Sequence, residues 1–269
     1  FGHSETILGK ALVGRRNEAI ICSKVGLRWD SEEGEHFFDS QENNKKIYRN
    51  LRPQSIRKEV EASLKRLQTD RIDLLQCHWP DPSTMVEETM IVLSDLVREG
   101  KVLAVGVSNF GPDLLERSQK SLSPVPLAST QPKYSLLDRR IEKDVIPWIC
   151  DNNVGAIVYS PLEQGLLSGK VTADRQFPAS DGRNNHPLFD HKNRLLVLQA
   201  LEKIQPIADA HNLTLAQLSI AWCFHQPGIT AAIVGARSAT QAIENAAACH
   251  TSLSETELIE IASVFSKLD

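Results

Sequence analysis

Six short apolar runs, each closed by polar or ionisable side chains, recur along the chain between stretches of helical period. AIICSK closes on Lys24, IDLLQCH on His78, and VLAVGVSN on Ser108 and Asn109. LAST is followed by Gln131, AIVYS ends on Tyr159 and Ser160, and AAIVGA is followed by Arg237 and Ser238. The runs are rich in Val, Ile and Leu without polar alternation, which predicts strands buried on both faces, as in a parallel sheet. A polar residue at the same end of each such strand costs solvation energy unless that end opens onto a ligand. In a closed parallel barrel those ends converge on one mouth, where barrel enzymes keep their chemistry.

The intervening segments predict helices. Residues 6–13 follow Ser4 as a candidate N-cap, 53–68 open with Pro53, and 84–99 follow Ser83 and stop at Gly100. In 53–68 the apolar residues Ile56, Val60, Leu64 and Leu67 fall on one face. Further helices are predicted over 112–120, 140–151, 193–211, 214–226 and 254–267, the last reaching Lys267, and another starts after Ser238. The alternation selects an α/β fold with a parallel sheet and right-handed crossovers. Two insertions, 28–52 and 170–192, follow the Lys24 and Tyr159 runs and read as loops on the side where barrels build substrate lids. The first carries Trp29, Phe37, Phe38 and Tyr48. Six βα units are visible where a closed barrel of this type needs about eight. Either the sheet is open or two units precede Phe1.

At 269 residues the chain suits one α/β barrel domain, and its 41% hydrophobic and 24% charged content is that of an ordinary globular protein. A formal charge of -4 argues against nucleic acid or an anionic membrane surface as the main partner. No apolar run approaches the roughly 20 residues needed to span a bilayer. Five scattered cysteines without a CxxC pair read as reduced, largely buried thiols and not as a disulfide or zinc framework, so no metal is expected and the cytoplasm is the default compartment.

Neither GxGxxG nor GxxxxGK[ST] occurs, so any nucleotide phosphate must be held by another device. One candidate is GARSATQAIEN at 235–245, where Gly235 permits close approach and Arg237 and Ser238 offer donors at a helix start. Another is YSPLEQGLLSGK at 159–170, where Tyr159 offers an aromatic face and Gly165 and Gly169 allow a tight turn. Each alone reads equally as a capped helix start or a core tyrosine before a turn; together they favour a cofactor. Lys24 ends an apolar strand, where lysine is rarely buried without a partner. It either reaches solvent, lowers the pKa of a neighbouring hydroxyl, or forms a Schiff base as in a barrel aldolase. His78 reads as a satisfied core histidine or as a second catalytic group.

The segments GHSETILGKAL, SKVG, RIDLLQCHWPD, REGKVLAVGVSNF, TQPKYS, IVYSPLEQGLLSGK and IVGARSATQAIEN resemble, in order and spacing, the aldo-keto reductase superfamily. The likeness is greatest to its bacterial general-reductase branch, which also resembles potassium-channel β subunits. The resemblance implies a single (β/α)8 TIM barrel domain over 1–269 that reduces aldehydes and ketones by hydride transfer from NADPH, with NADH as the second cofactor. The partner is then a small-molecule carbonyl substrate, with oligomeric state left open. A non-catalytic NADP(H)-binding subunit like the channel β proteins is the alternative.

By motif, the family's catalytic lysine falls on Lys24 and its histidine on His78. Its nicotinamide amide contacts fall on Ser108, Asn109 and Gln131, and its stacking aromatic on Tyr159. The pyrophosphate turn falls on Ser160, Leu162, Gln164 and Gly165, and the adenosine phosphate site on Gly235, Arg237, Ser238, Gln241, Glu244 and Asn245. Trp29 and Trp79 are the expected walls of the substrate pocket. The family's catalytic Asp and Tyr would fall just ahead of Phe1. The expectation is therefore that the first two βα units are missing and that residues 1–269 alone are inactive. Some branches carry lysine at the position of Gly235 and arginine at that of Gln241. Arg237 is the expected substitute charge, favouring NADPH over NADH.

Overall fold

A computed structural model describes residues 1–40, 44–266 and 268, which form two compact units, Phe1–Gln131 and Pro132–Asp269. In the first unit, helix α1 (His3–Ala11) precedes strand β1 (Cys22–Val25), and a three-stranded antiparallel sheet is inserted next. Its strands are β2 (Leu27–Arg28), β3 (Glu35–Ser40) and β4 (Lys45–Arg49), in the order β2-β4-β3. The βα alternation continues through α2 (Pro53–Leu67), β5 (Ile72–Cys77), α3 (Val86–Arg98), β6 (Val102–Ser108), α4 (Pro112–Leu122) and β7 (Leu127–Gln131). Strands β1, β5, β6 and β7 pair in parallel in that order.

The second unit carries α5 (Val145–Asn152), β8 (Gly155–Tyr159), α6 (His191–Ala210), α7 (Leu215–Phe224), β9 (Ile229–Ile233), α8 (Ala239–Ala247) and α9 (Glu255–Phe265). β8 and β9 are parallel neighbours. No helix among the described residues is long and apolar enough to cross a membrane.

Helix α2 buries the face read from its sequence, Ile56, Val60, Leu64 and Leu67, against the sheet. α7 and α9 each start in a full capping box, Thr214 with Gln217 and Ser254 with Glu257. The predicted end of α9 at Lys267 lies outside the described residues.

Several expectations need correction. α1 is capped at Gly2, where φ is +81°, and not at Ser4, which lies inside the helix. α3 begins after Met85, because Asp81 accepts the Ser83 hydroxyl and Ser83 does not reach the helix. The segment 140–151 is split into a 3-10 turn, Arg140–Glu142, and α5, whose start is capped by Asp144 accepting Val145 N–H at 2.7 Å.

The insertion 28–52, of which 41–43 lie outside the described residues, is a sheet and not a loop. A bulge between His36 and Phe38 puts the adjacent Phe37 and Phe38 out of strict alternation, which hides the period of two in EHFFDS. Burial on both faces holds for β5 but not for β1 or β9: Cys22 is exposed, as are Thr230, Ala231 and Ile233. Among the described residues β1 pairs only with β5 in the parallel sheet of the first unit, and β9 pairs only with β8 in the second, which leaves one edge of each open. Of the thiols, Cys77 and Cys223 are buried, whereas Cys22, Cys150 and Cys249 are exposed.

Candidate functional site

In the first unit the parallel register brings the polar strand ends together. Lys24 is opposite Gln76, Cys77 is opposite Val107, and Ser108 is opposite Gln131. His78 follows β5 directly and donates its backbone N–H to Val25 O at 2.9 Å, which seats the imidazole beside the end of β1.

A hydrogen-bonded chain then crosses the rim. Asn109 Nδ2 donates to His78 O at 3.1 Å and to Ser108 Oγ at 3.0 Å, and Ser108 Oγ donates to Gln131 O at 2.7 Å. Gln131 Nε2 donates to Gln76 Oε1 at 2.7 Å, and Gln76 Nε2 to Ser129 Oγ at 3.2 Å. Asn109 adopts φ +63°, a conformation asparagine tolerates better than most residues. The buried side chains of Gln76, Ser129 and Gln131 are thus joined to one another, and the buried Ser108 hydroxyl is held by Asn109 Nδ2 and the Gln131 backbone oxygen. The sequence reading found Ser108, Asn109 and Gln131 but missed Gln76 and Ser129. The signal for Gln76 was a polar residue between Leu75 and Cys77 in an apolar run, whereas Ser129 stands among the polar residues of LASTQ and had no such signal.

Lys24 and His78 line one cavity of about 480 Å³, together with Trp29, Phe38, Ile47 and Glu59. Trp29, expected as a wall of the substrate pocket, is among these lining residues. Trp79 is not among the lining residues and packs instead on Phe37, ring centroids 5.3 Å apart. The small sheet supplies Phe38 and Ile47 in its stead, which loop reasoning could not anticipate. Lys24 makes no ion pair among the described residues, and burial lowers its pKa, partly offset by Cys22. Burial also lowers the pKa of His78 to about 4, with the Lys24 charge adding to the effect, so the imidazole is neutral at physiological pH.

Glu59 was not singled out from sequence. Its carboxylate accepts Gly26 N–H at 3.2 Å and faces Ser55, near Arg28 and Asp30, and burial raises its pKa to about 8. The sign follows from linkage. A carboxyl whose folded pKa exceeds its unfolded value of 4.5 contributes stability in full below that value, and the contribution is lost as pH rises through about 8. His78 works oppositely: its contribution is present above 6.5 and lost as pH falls through about 4. Glu59→Gln is therefore expected to leave stability at pH 5 nearly unchanged. Relative to wild type it should add on the order of a few kcal/mol at pH 9. Urea unfolding at the two pH values checks this, and equal differences at both would contradict it.

In the second unit Tyr159 closes β8, and its register partner on β9 is Ile233. Burial raises the Tyr159 pKa, so its ring is a neutral phenol. The turn beyond it is left-handed at Ser160 (φ +60°), Glu163 (+43°), Gln164 (+54°) and Gly165 (+94°), while Leu162 is not (φ -104°). The insertion 170–192 reaches this turn, where Arg183 Nη1 donates to Gln164 O at 3.3 Å.

The 235–245 segment is closed by its own hydrogen bonds. Ser238 Oγ accepts Gln241 N–H at 3.2 Å, Gln241 Oε1 accepts Arg237 N–H at 2.8 Å, and Asn245 Nδ2 donates to Gly235 O at 3.3 Å. Glu244 accepts Gln217 Nε2 through its backbone oxygen at 2.9 Å, so its carboxylate is not needed to hold the segment. Arg237 is exposed and forms no ion pair among the described residues, and a Cβ at Gly235 would meet nothing within 4 Å. An exposed guanidinium beside the first turn of α8, next to a glycine open to close approach, is a donor set that fits a nucleotide phosphate.

Comparison with known proteins gives a consistent result. The model of the aldo/keto reductase family matches residues 1–265. The match lends no support to the expectation of missing N-terminal units, and nothing supports inactivity of residues 1–269. The chain is 37% identical over 261 residues to the NADH-specific methylglyoxal reductase of Escherichia coli, covering 96% of this chain and 78% of that protein. It is 31% identical to a probable voltage-gated potassium channel subunit beta of Arabidopsis thaliana, covering 91% and 73%. Among solved structures, glycerol dehydrogenase AKR11B4 from Gluconobacter oxydans superposes with a TM-score of 0.89 at 36% identity, covering 99% of this chain and 78% of the other.

Proposed function

Because the chain belongs to the aldo/keto reductase family, we propose that it reduces small aldehydes and ketones to alcohols with NADPH, accepting NADH less well. Membership implies the family's (β/α)8 barrel and a nicotinamide cofactor. The observation that carries the reading is that Lys24 and His78, both half-buried, line one cavity walled by Trp29 and Phe38.

A bound reduced nicotinamide would supply the hydride. The chain's own residues bind, orient and polarise. Ser108, Asn109 and Gln131 present the donors and acceptors that suit a carboxamide. Tyr159 offers a flat face, Ser160, Leu162, Gln164 and Gly165 form the pyrophosphate turn, and Gly235, Arg237, Ser238, Gln241, Glu244 and Asn245 form the adenosine phosphate site. His78, neutral at working pH, donates its ring N–H to the substrate carbonyl oxygen and stabilises the negative charge that develops there. The Lys24 ammonium, carried beside His78 in the same cavity, supplies a positive charge that lowers the pKa of an acid group brought against it. A reducing, cytoplasmic location is part of the same reading and is supported by five free thiols.

Incubation with methylglyoxal and NADPH carrying deuterium at both hydrogen positions of the nicotinamide C4 tests the reaction. Deuterium is expected on the former carbonyl carbon, and an unlabelled alcohol or no turnover across a panel of aldehydes would overturn it. A second reading, a cofactor-binding regulatory subunit, is favoured by the similarity to the plant channel subunit. It predicts tight NADPH binding with no label transfer.

Cofactor preference is tested separately, since the Escherichia coli relative is named NADH-specific. Arg237→Ala is expected to weaken NADPH by about tenfold, the worth of one charge-assisted phosphate contact, and NADH by less than about twofold. Equal losses in fluorescence titrations would remove Arg237 from 2′-phosphate recognition.

A further inference from the structure

We propose that Glu163 is a positioning residue for the cofactor pyrophosphate: with Lys133 and Ser135 it holds the 160–165 turn in the shape that receives the anion. The inference rests on the dinucleotide reading above.

Left-handed backbone is disfavoured for residues with a Cβ, yet Ser160, Glu163 and Gln164 all adopt it within one turn. Such a run persists only where its surroundings over-determine it. Glu163 supplies that constraint. It is 1% exposed, Oε1 accepts Ser135 Oγ at 2.8 Å, and Oε2 faces Lys133 Nζ at 3.0 Å. A buried carboxylate is costly away from its partners, and both partners come from one three-residue segment, so the side chain has nowhere else to go.

That segment also fixes the end of β8. Tyr159 N–H donates to Pro132 O at 3.0 Å, and Tyr134 N–H donates to Tyr159 O at 3.2 Å. The ring proposed to stack on the nicotinamide and the turn proposed to receive the pyrophosphate are therefore set by the same short stretch of chain. While Glu163 points inward, its neighbours lie at the surface: Gln164 is exposed, and a Cβ at Gly165 would meet nothing within 4 Å. The turn closes on itself, Glu163 N–H donating to Ser160 O at 3.0 Å and Gly165 N–H to Leu162 O at 2.9 Å, which fixes the concave curve against which an anion would rest. Lys133 keeps a second carboxylate, Asp138, at 3.4 Å, and Arg140 also holds Asp138, at 2.8 Å. Loss of Glu163 therefore does not strand the ammonium, and the fold is expected to survive.

The test compares Glu163→Ala, Glu163→Gln and Lys133→Met with wild type. Fluorescence titration measures affinity for NADPH and NADH, competition measures affinity for adenosine 2′-monophosphate, and a thermal scan reports folding. Glu163→Ala is expected to weaken the dinucleotides at least tenfold and Glu163→Gln less, with Lys133→Met in the same direction. Adenosine 2′-monophosphate, which carries no 5′-phosphate, should stay within twofold. Dinucleotide affinity within twofold of wild type in all three variants would overturn the inference, as would equal weakening of the dinucleotides and of adenosine 2′-monophosphate. If Glu163→Ala does not fold, Glu163→Gln and Lys133→Met decide by the same criteria. Wild type that binds neither dinucleotide would instead sink the reductase reading on which this one stands.

Discussion

Lys24→Met is expected to lower the turnover number by about 100-fold or more, the scale of a lost contribution to proton transfer, while cofactor affinity changes by no more than about threefold. Burial disfavours the charged form of Lys24, and among the described residues no carboxylate is paired with it to offset that cost. An ammonium kept there at a cost to the fold is explained if its charge acts on a neighbouring acid during the reaction. Methionine keeps the length and apolar stem and removes only the charge. The thermal midpoint should therefore hold or rise, because a desolvated ammonium is gone. Steady-state kinetics at saturating NADPH, paired with a thermal scan, separates the two effects. Unchanged turnover would remove Lys24 from the chemistry, and a large fall in the midpoint would make it a packing residue.

Gly106→Ala carries the largest expected effect on the fold. A Cβ built there would lie 2.4 Å from Ser129 Oγ, 2.9 Å from Ser129 O and 3.0 Å from Gln76 Cγ. The Ser129 hydroxyl and Gln76 can rotate aside, but only by giving up the hydrogen bond that joins them. The Ser129 carbonyl is fixed by the β6–β7 ladder, where Gly106 and Ser129 are register partners. Overpacking of this kind costs about 1–3 kcal/mol, which for a chain of this size lowers the midpoint by roughly 2–12 °C. Because Gln76 also accepts from Gln131, the disturbance reaches the rim, and dinucleotide affinity should fall with stability. A midpoint within 1 °C of wild type, with unchanged affinity, would mean that β6 and β7 part without cost and that the rim is not a connected unit; that 1 °C margin is about a quarter to half of what 1 kcal/mol moves.

How far the sequence could be read follows from where local chemistry and tertiary packing agree. The parallel strands were visible because their apolar runs are uninterrupted, and the helices because Pro53, Thr214 and Ser254 start them by local rules. The rim was visible because a lysine and a histidine at successive strand ends cost too much to be incidental. The small antiparallel sheet was not visible, because the bulge at His36 and Phe38 cancels its alternation and its charged residues imitate a loop. Glu59 escaped for a different reason. On a helix with Lys58 and Glu61 beside it, nothing local distinguishes a buried carboxylate from exposed ones, and its partner is the backbone N–H of Gly26. Glu163 was hidden likewise, since its burial depends on Lys133 and Ser135, which lie about 30 residues earlier in the chain. Trp79 marks the converse error. An aromatic beside His78 is near the site in sequence, yet its ring turns to Phe37 and leaves the cavity wall to Trp29 and Phe38.

The polar rim of the first unit is expected to receive the nicotinamide end of a dinucleotide. The most direct test is a fluorescence titration of NADPH into wild type and into Gln131→Ala, whose side chain closes the hydrogen-bonded chain through Gln76. Saturable, equimolar binding is predicted for wild type, with affinity about tenfold lower in the variant, the scale of one buried hydrogen-bonding group removed. Absence of saturation in wild type, or identical titration curves for the two proteins, would contradict it.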